Sequence, residues 1–242
     1  MSIGTKDSFL SLQKNISQLS IIEALQKLNE VFPQQLTFST SFSMEDQTIT
    51  DFISKSSVPV TIFTLDTGRL FPETYSTWSR TLENYNLKID AYYPEAEQIQ
   101  EFVHEYGPNA FYESVELRKQ CCHIRKVVPL KKALAGKAIW ITGLRAEHSP
   151  GRHEMQILEW DEVNQIIKYN PLLHWTTEEV KAYINKNYIP YNALHDRGFV
   201  SIGCAPCTRA IKPGEDFRAG RWWWEDQSKK ECGLHVHQIA SK

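Results

Sequence analysis

A chain of 242 residues can hold one large domain or two small ones with a sizeable core, and 41% hydrophobic and 23% charged residues are ordinary for a soluble globular protein. A formal net charge of −2 gives no whole-molecule pull toward nucleic acid or an anionic membrane, so any anion site must come from local clustering. No run approaches the roughly 18 apolar residues of a membrane span, and Met1 to Asn15 lacks a signal-peptide core. These features predict a cytoplasmic protein with no nucleic-acid or membrane partner.

The first helix signal is the capping box Ser20-Ile21-Ile22-Glu23, followed by Ile22, Leu25 and Leu28 at helical spacing. Leu36 to Ser39 reads as a short strand entering the hydroxyl-rich turn Ser39–Ser43, with a helix from about Met44 to Lys55. Val58 to Leu65 is a buried-strand pattern ending at Asp66-Thr67-Gly68-Arg69. Pro72 suits the first turn of a helix to about Tyr85. Leu87 to Tyr93 is the next strand, and Glu95 to Tyr106 the next helix. Phe111 to Leu134 has helical spacing, with Pro129 expected to kink or break it. Ala138 to Thr142 is a strand ending at Gly143-Leu144-Arg145. Met155–Trp160 and Gln165–Tyr169 suggest a hairpin, and the capping box Thr176–Glu179 opens a helix to about Lys186. Periodicity fades after Gly198. Alternating strands and helices predict an α/β fold of parallel βαβ units: a single domain over 1–217, followed by a C-terminal tail over 218–242.

Three segments fall at carboxyl ends of strands, where doubly wound sheets bind ligands: Ser39–Ser43, Asp66–Arg69 and Gly143–Arg145. A hydroxyl-rich turn before a helix offers N–H groups to a phosphate, although such a turn is more often only a cap. The five cysteines divide as four plus one. Cys121-Cys122 and Cys204-Ala205-Pro206-Cys207 form a complete ligand set for an iron–sulfur cluster or a structural zinc. The adjacent pair favours a bulky 4Fe-4S cluster, because structural zinc sites usually present spaced pairs. Cys232 is left over, as a reactive thiol or an incidental surface cysteine. A free thiol is only about 3% ionised at pH 7, and Lys229, Lys230 and His235 are near enough in sequence to raise that fraction while Glu231 opposes it. Arg125, Lys126, Arg209, Lys212, Arg218 and Arg221 gather near the cysteine pairs in sequence, as a solvated face or an anion pocket. Trp222, Trp223 and Trp224 read as packing residues.

Ser41–Asp46, Leu65–Leu70, Cys121–Lys126, Ile141–Arg145, Cys204–Arg209, Arg218–Trp223 and above all Glu231-Cys232-Gly233-Leu234-His235 resemble the assimilatory adenylyl-sulfate (APS) reductases of the sulfonucleotide reductase family. The resemblance runs from the Ser39 turn to the tail. It implies an adenine-nucleotide α-hydrolase-like fold, a mainly parallel sheet flanked by helices, with a mobile tail that brings Cys232 to the substrate. It implies reduction of APS to sulfite and AMP, in sulfate assimilation toward cysteine. Cys232 would be the catalytic nucleophile and form an S-sulfonate, which thioredoxin or a glutaredoxin-like thiol donor then cleaves. It implies that Cys121, Cys122, Cys204 and Cys207 hold a 4Fe-4S cluster. Ser39, Ser41, Ser43, Leu65, Asp66, Thr67, Gly68, Lys126, Gly143, Arg145, Arg218, Arg221 and His235 are the substrate-binding positions it carries over.

Two departures stand out. The phosphate loop lacks the glycines common in this superfamily, and Ala146 follows Arg145 where many relatives have a second arginine, a role Arg152 would partly fill. The alternative substrate is the 3′-phosphorylated nucleotide (PAPS), alone or together with APS. More distant alternatives are an adenylating tRNA thiolase and a zinc-stabilised nucleotide-binding protein. A homo-oligomer is compatible with all of these.

Overall fold

The computed structural model describes residues 6–148 and 154–226. Its first helix, α1 (Lys6–Ile16), has no counterpart among the sequence expectations, which began at Ser20. Phe9, Leu12 and Ile16 nevertheless form the i, i+3, i+7 stripe that packs it on the core, hidden among polar residues. The capping box at Ser20 is formed as expected and opens α2 (Ile21–Val31).

Six strands make one sheet: β1 (Leu36–Ser39), β2 (Thr61–Leu65), β3 (Ile89–Tyr92), β4 (Ile139–Ile141), β5 (Leu158–Asp161) and β6 (Ile166–Tyr169). Their order is β3-β2-β1-β4-β6-β5. β1 pairs in parallel with both β2 and β4, β4 pairs in parallel with β6, and β5 runs antiparallel to β6, in the expected hairpin. The chain moves one way from β1 to β2 and the other way from β1 to β4. This makes the β1–β4 edge the topological switch point, where such sheets open a crevice. Leu36, Phe38, Ile139, Ile141 and Ile167 of the strands share a core with Ile16, Leu25, Leu28, Ile49 and Ile53 of the helices. Strands buried on both faces lose the in–out alternation of exposed sheets, which is why β1 and β4 read as short apolar runs.

The remaining helices are α3 (Met44–Ser56), α4 (Pro72–Tyr85), α5 (Ala96–Tyr106), α6 (Val115–Cys122), α7 (Val128–Leu134) and α8 (Thr177–Asn187). The expected single helix over 111–134 is instead a 3-10 turn at Ala110–Tyr112, then α6, a π-helical turn at His123–Val127, and α7. Pro129 sits in the first turn of α7. It has no N–H to donate to residue 125 and its ring crowds that carbonyl, so a wider turn takes the place of a break. The Val128 N–H reaches back five residues to the His123 carbonyl.

The described residues group into two compact units. The first comprises those up to Thr64, with Pro72–Asp90 and Gly136–Ala193; the second comprises Leu65–Phe71, Ala91–Ala135 and those from Leu194 on. Among the described residues, no helix is long and apolar enough to cross a membrane.

Candidate functional site

In the first unit the switch point brings together the Ser39–Ser43 turn and the Gly143–Arg145 loop. Ser39 ends β1, and its Oγ accepts the Trp140 indole N–H at 2.9 Å. Ser41 donates both its N–H and its hydroxyl to Asp46 Oδ2, at 2.6 and 2.7 Å. Ser43 is the N-cap of α3, its hydroxyl accepting from Asp46 N at 3.3 Å, so the capping role and the turn's place at the crevice coexist. The missing glycine has a structural answer. Phe42 takes the left-handed backbone at φ 60°, which costs an L-residue roughly 1–2 kcal/mol, and its fully buried ring stacks on Trp78 with centroids 5.5 Å apart.

Gly143 is required by closeness: a Cβ there would run into the Asp46 carboxylate. Arg145 is 1% exposed, and its guanidinium is bonded inward, to Glu45 (3.0 Å), the Trp175 carbonyl (3.0 Å), Thr177 Oγ1 (2.9 Å) and Glu147. It ties the 143–145 loop to the start of α3 and of α8. His148 Nε2 lies 3.2 Å from Glu45 Oε1.

Two neighbouring carboxyls are thereby driven apart. Burial works most strongly against ionising Glu45, yet the His148 hydrogen bond and the charges of His148 and Arg145 outweigh it and hold the group at about 2. Burial pushes Asp46 up to about 6 against the Ser41 hydrogen bonds, and the Glu45 charge adds to the rise. An acid raised in the folded state binds its proton more tightly there than in the unfolded chain. Its contribution to stability is therefore present at low pH and lost as pH rises through about 6. Glu45 contributes in the opposite sense, and its stability is lost only on acidification below its ordinary 4.5. Between about pH 4.5 and 7, then, unfolding free energy should fall by on the order of 2–3 kcal/mol from Asp46 alone. Urea titrations of wild type and Asp46→Asn over that range test this; parallel curves for the two proteins would refute the assignment.

In the second unit the four clustered cysteines converge. Cys121, Cys122, Cys204 and Cys207 line one small cavity of about 20 Å³ with Arg69, Phe111, Arg118, Arg125, Lys126 and Pro206. Cys121 and Cys122 close α6, and Cys204 is the N-cap of a 3-10 turn at Ala205–Cys207. The π-helical turn places Arg125 and Lys126 on the same cavity. Arg125 donates to the Thr67 carbonyl at 2.7 Å, and the Thr67 hydroxyl lies 3.3 Å from Cys204 Sγ. Asp66 Oδ1 accepts the Gly68 N–H at 2.9 Å, closing the turn after β2, whose last residue is Leu65. The expected strand-end segment 65–68 is thus built against the cysteine cavity.

Burial raises Cys121 and takes Cys207 up to about 12. Burial also opposes the Cys204 thiolate, but Lys126, the Thr67 hydroxyl, Arg221 and Arg125 together outweigh it and lower that thiol. No carboxylate is among the described residues that line this cavity, so their charge suits thiolates. Among the described residues, no group of three or more His, Cys, Asp and Glu side chains forms a ready single-ion site.

Of the other cations, Arg221 is buried and lies over the Trp222 ring, with Arg218 over the same ring at 5.8 Å. Arg209 pairs with Glu215 at 2.8 Å and Lys212 is exposed, so these two do not join the cluster at the cysteines. Trp222 packs as expected, 1% exposed, whereas Trp223 is 40% exposed. The region expected as a tail begins at 218, and its described part is packed: Arg221 bridges Thr208, and Trp222 N donates to Cys207 O at 3.2 Å. Cys232, His235, Lys229, Lys230, Glu231 and Arg152 lie outside the described residues. A wider, open groove of about 710 Å³ beside Arg80, Tyr188 and Tyr191 contains none of the candidate residues.

Sequence reasoning missed Arg118 and Thr67's bond to Cys204, and named Arg69 only as the end of the strand-end segment 66–69. The acidic pair Glu45-Asp46 carried a signal, since acids in the first turn after an N-cap serine fit the helix dipole, but not one that distinguishes an ordinary first turn from this network.

The family model for the phosphoadenosine phosphosulfate reductase domain matches residues 35–210. An adenosine 5′-phosphosulfate reductase of Burkholderia cepacia is 51% identical over 206 residues, covering 85% of this chain and 82% of that protein. The crystal structure of phosphoadenylyl-sulfate (PAPS) reductase from Candida auris superposes with a TM-score of 0.73 at 30% identity, covering 86% of this chain and 98% of that one. Yeast FAD synthetase (TM-score 0.52, 15% identity, 86% and 70% covered) shares the fold alone. The mainly parallel sheet with its switch-point turn, the cysteine-lined cavity, and likeness over most of both chains converge on one conclusion: this chain belongs to the phosphoadenosine phosphosulfate reductase domain family.

Proposed function

We propose that this chain reduces adenosine 5′-phosphosulfate (APS) to sulfite and AMP. The observation that carries the reading is the gathering of Cys121, Cys122, Cys204 and Cys207 with Lys126 around one cavity, in a chain 51% identical to an adenosine 5′-phosphosulfate reductase. The Cys232 thiolate attacks the sulfate sulfur. The sulfur–oxygen bond to the phosphate breaks, AMP leaves with the electron pair, and Cys232 carries an S-sulfonate. A thiolate of a thioredoxin-type dithiol then attacks Cys232 Sγ and expels sulfite. The donor's second thiol resolves the mixed disulfide and returns the Cys232 thiolate. Sulfate sulfur gains two electrons and the dithiol loses two.

Attack brings one anion onto another, so cations must offset the repulsion and stabilise the departing phosphate. Lys126, Arg218, Arg221 and His235 take that role toward the phosphosulfate. Ser39, Ser41, Ser43, Leu65, Asp66, Thr67, Gly68, Gly143 and Arg145 hold or shape the nucleotide site; Arg145 does so through its inward bonds, by fixing the loop. The four cysteines fit a 4Fe-4S cluster, because four thiols edge one cavity, with Arg125 and Lys126 beside them and no carboxylate among the described lining residues. When bound, the cluster would supply a local field near the sulfate, and the two-electron balance above does not require it to carry electrons. Free thiols in this number suit the reducing cytoplasm.

The second reading, PAPS as substrate, rests on the Candida auris neighbour at 30% identity. Comparing both nucleotides in a thioredoxin-coupled assay tests the choice. APS should be favoured in kcat/KM by about 10²-fold, and a preference for PAPS would overturn the assignment.

A further inference from the structure

The hydroxyls along β1 and the turn after it differ in where their protons go. Thr37 and Ser39, two residues apart in β1, lie on one face of the strand. The Thr37 hydroxyl donates to the Thr61 carbonyl at 2.9 Å. Ser41 gives both its hydroxyl and its N–H to Asp46. Ser39 is the reverse case. Its Oγ accepts the Trp140 indole N–H at 2.9 Å, and among the described residues no acceptor takes its own proton. An indole nitrogen only donates, so the sense of this bond is fixed by chemistry, with no rotor or tautomer to choose. Accepting that N–H leaves Ser39 as a donor. The residue is half-buried at the carboxyl end of β1, on the crevice side of the switch point, where a ligand can take the proton.

Trp140 is built to hold that arrangement still. It is 1% exposed in β4, between β1 and β6, and Lys168 is its register partner in β6. The Lys168 ammonium, buried and paired with Asp161 at 2.7 Å, lies 5.3 Å from the indole centroid. Strand pairing on both sides and a desolvated cation over the ring leave the indole little freedom. All these residues belong to the first unit.

We infer that Trp140 is a positioning residue for nucleotide binding: by donating to Ser39 Oγ, it sets the Ser39 hydroxyl as a fixed donor to an oxygen of the nucleotide's phosphate. A phosphate oxygen accepts and never donates, so the polarity that Trp140 imposes is the one this ligand needs. This role presupposes the nucleotide site proposed above. Its signature is confined to the phosphate: AMP loses affinity and adenosine does not.

The test measures AMP and adenosine binding to the full chain as wild type, Trp140→Phe, Ser39→Ala and the double variant, with thermal melting of each. Ser39→Ala should weaken AMP by about 10-fold, the loss of one hydrogen bond to a charged group. Trp140→Phe should weaken it by about 5-fold, the cost of ordering one freed side chain at each binding event. The double variant should match Ser39→Ala alone, because the indole acts only through that hydroxyl, and adenosine should bind all four proteins equally. If Trp140→Phe fails to fold, benzothienylalanine at position 140 carries the test, since it keeps the ring outline with sulfur in place of the N–H. Unchanged AMP affinity in a folded Trp140 variant overturns the inference. So do losses that multiply in the double variant, an equal loss for adenosine, or failure of both Trp140 replacements to fold, which would make the indole purely structural. Wild type that binds neither ligand would instead remove the nucleotide site itself.

Discussion

Cys232→Ser should abolish sulfite production, with turnover falling by about 10³-fold or more, because a serine hydroxyl is hardly ionised near neutral pH and has no adjacent base assigned to it. AMP affinity should stay as in wild type, since the nucleotide is held by other residues. The decisive readout precedes turnover. Wild type given APS without thiol should gain about 80 Da on Cys232, the mass of an added SO₃ from a group transfer to the nucleophile, while the serine variant gains nothing. Adduct or sulfite from Cys232→Ser would show that another group captures the sulfur. The same experiment bears on the leftover thiol. Cys121, Cys122, Cys204 and Cys207 line one cavity, and Cys232 lies outside the described residues.

The second large effect concerns that cavity. Anaerobically purified protein should carry about four iron per chain, the content of one 4Fe-4S cluster, and Cys204→Ser should lose most of it. Cys204 is the informative choice because Lys126, Thr67 and Arg221 already favour its thiolate over the opposing effect of burial. Removing it takes away one of the four thiols that line the cavity. The expected result is colourless protein with little iron. One zinc and no iron in wild type would overturn the cluster reading and leave a structural metal in its place.

The sheet was legible because its strands combine apolar runs with turn residues at their ends. Leu36 to Ser39, Ala138 to Thr142 and the hairpin needed only local pattern, and both capping boxes formed as read. The helix at Lys6–Ile16 was not legible, because three core-facing residues among polar ones fall below what periodicity alone can separate from a loop. Around the site, the cysteine pairs and strand-end turns carried their own spacing. The partners that orient them did not: Arg145 meets Glu45 across 100 residues, and Arg118 meets Glu225 across 107. Such pairs depend on the closed fold, and a charged residue's partner cannot be read from its neighbours in sequence. The inward bonding of Arg145 follows from the same cause. The glycine-poor turn was noted as a departure, but only the packing of Phe42 on Trp78 explains how it is tolerated.

The π-helical turn at His123–Val127 has a consequence for how this protein tolerates change. Such a turn holds one residue more than the α-helix it interrupts, so the phase between Cys121-Cys122 upstream and Leu130, Ala133 and Leu134 downstream is set by the number of residues between them, with Pro129 holding the turn open. Substitutions within 123–127 leave that phase intact. Deleting one residue would take away the wider turn that accommodates Pro129 and swing everything beyond it by about 100°, turning buried Leu130 and Leu134 out of their places. In lineages of this chain, length across those five positions should be held more tightly than identity.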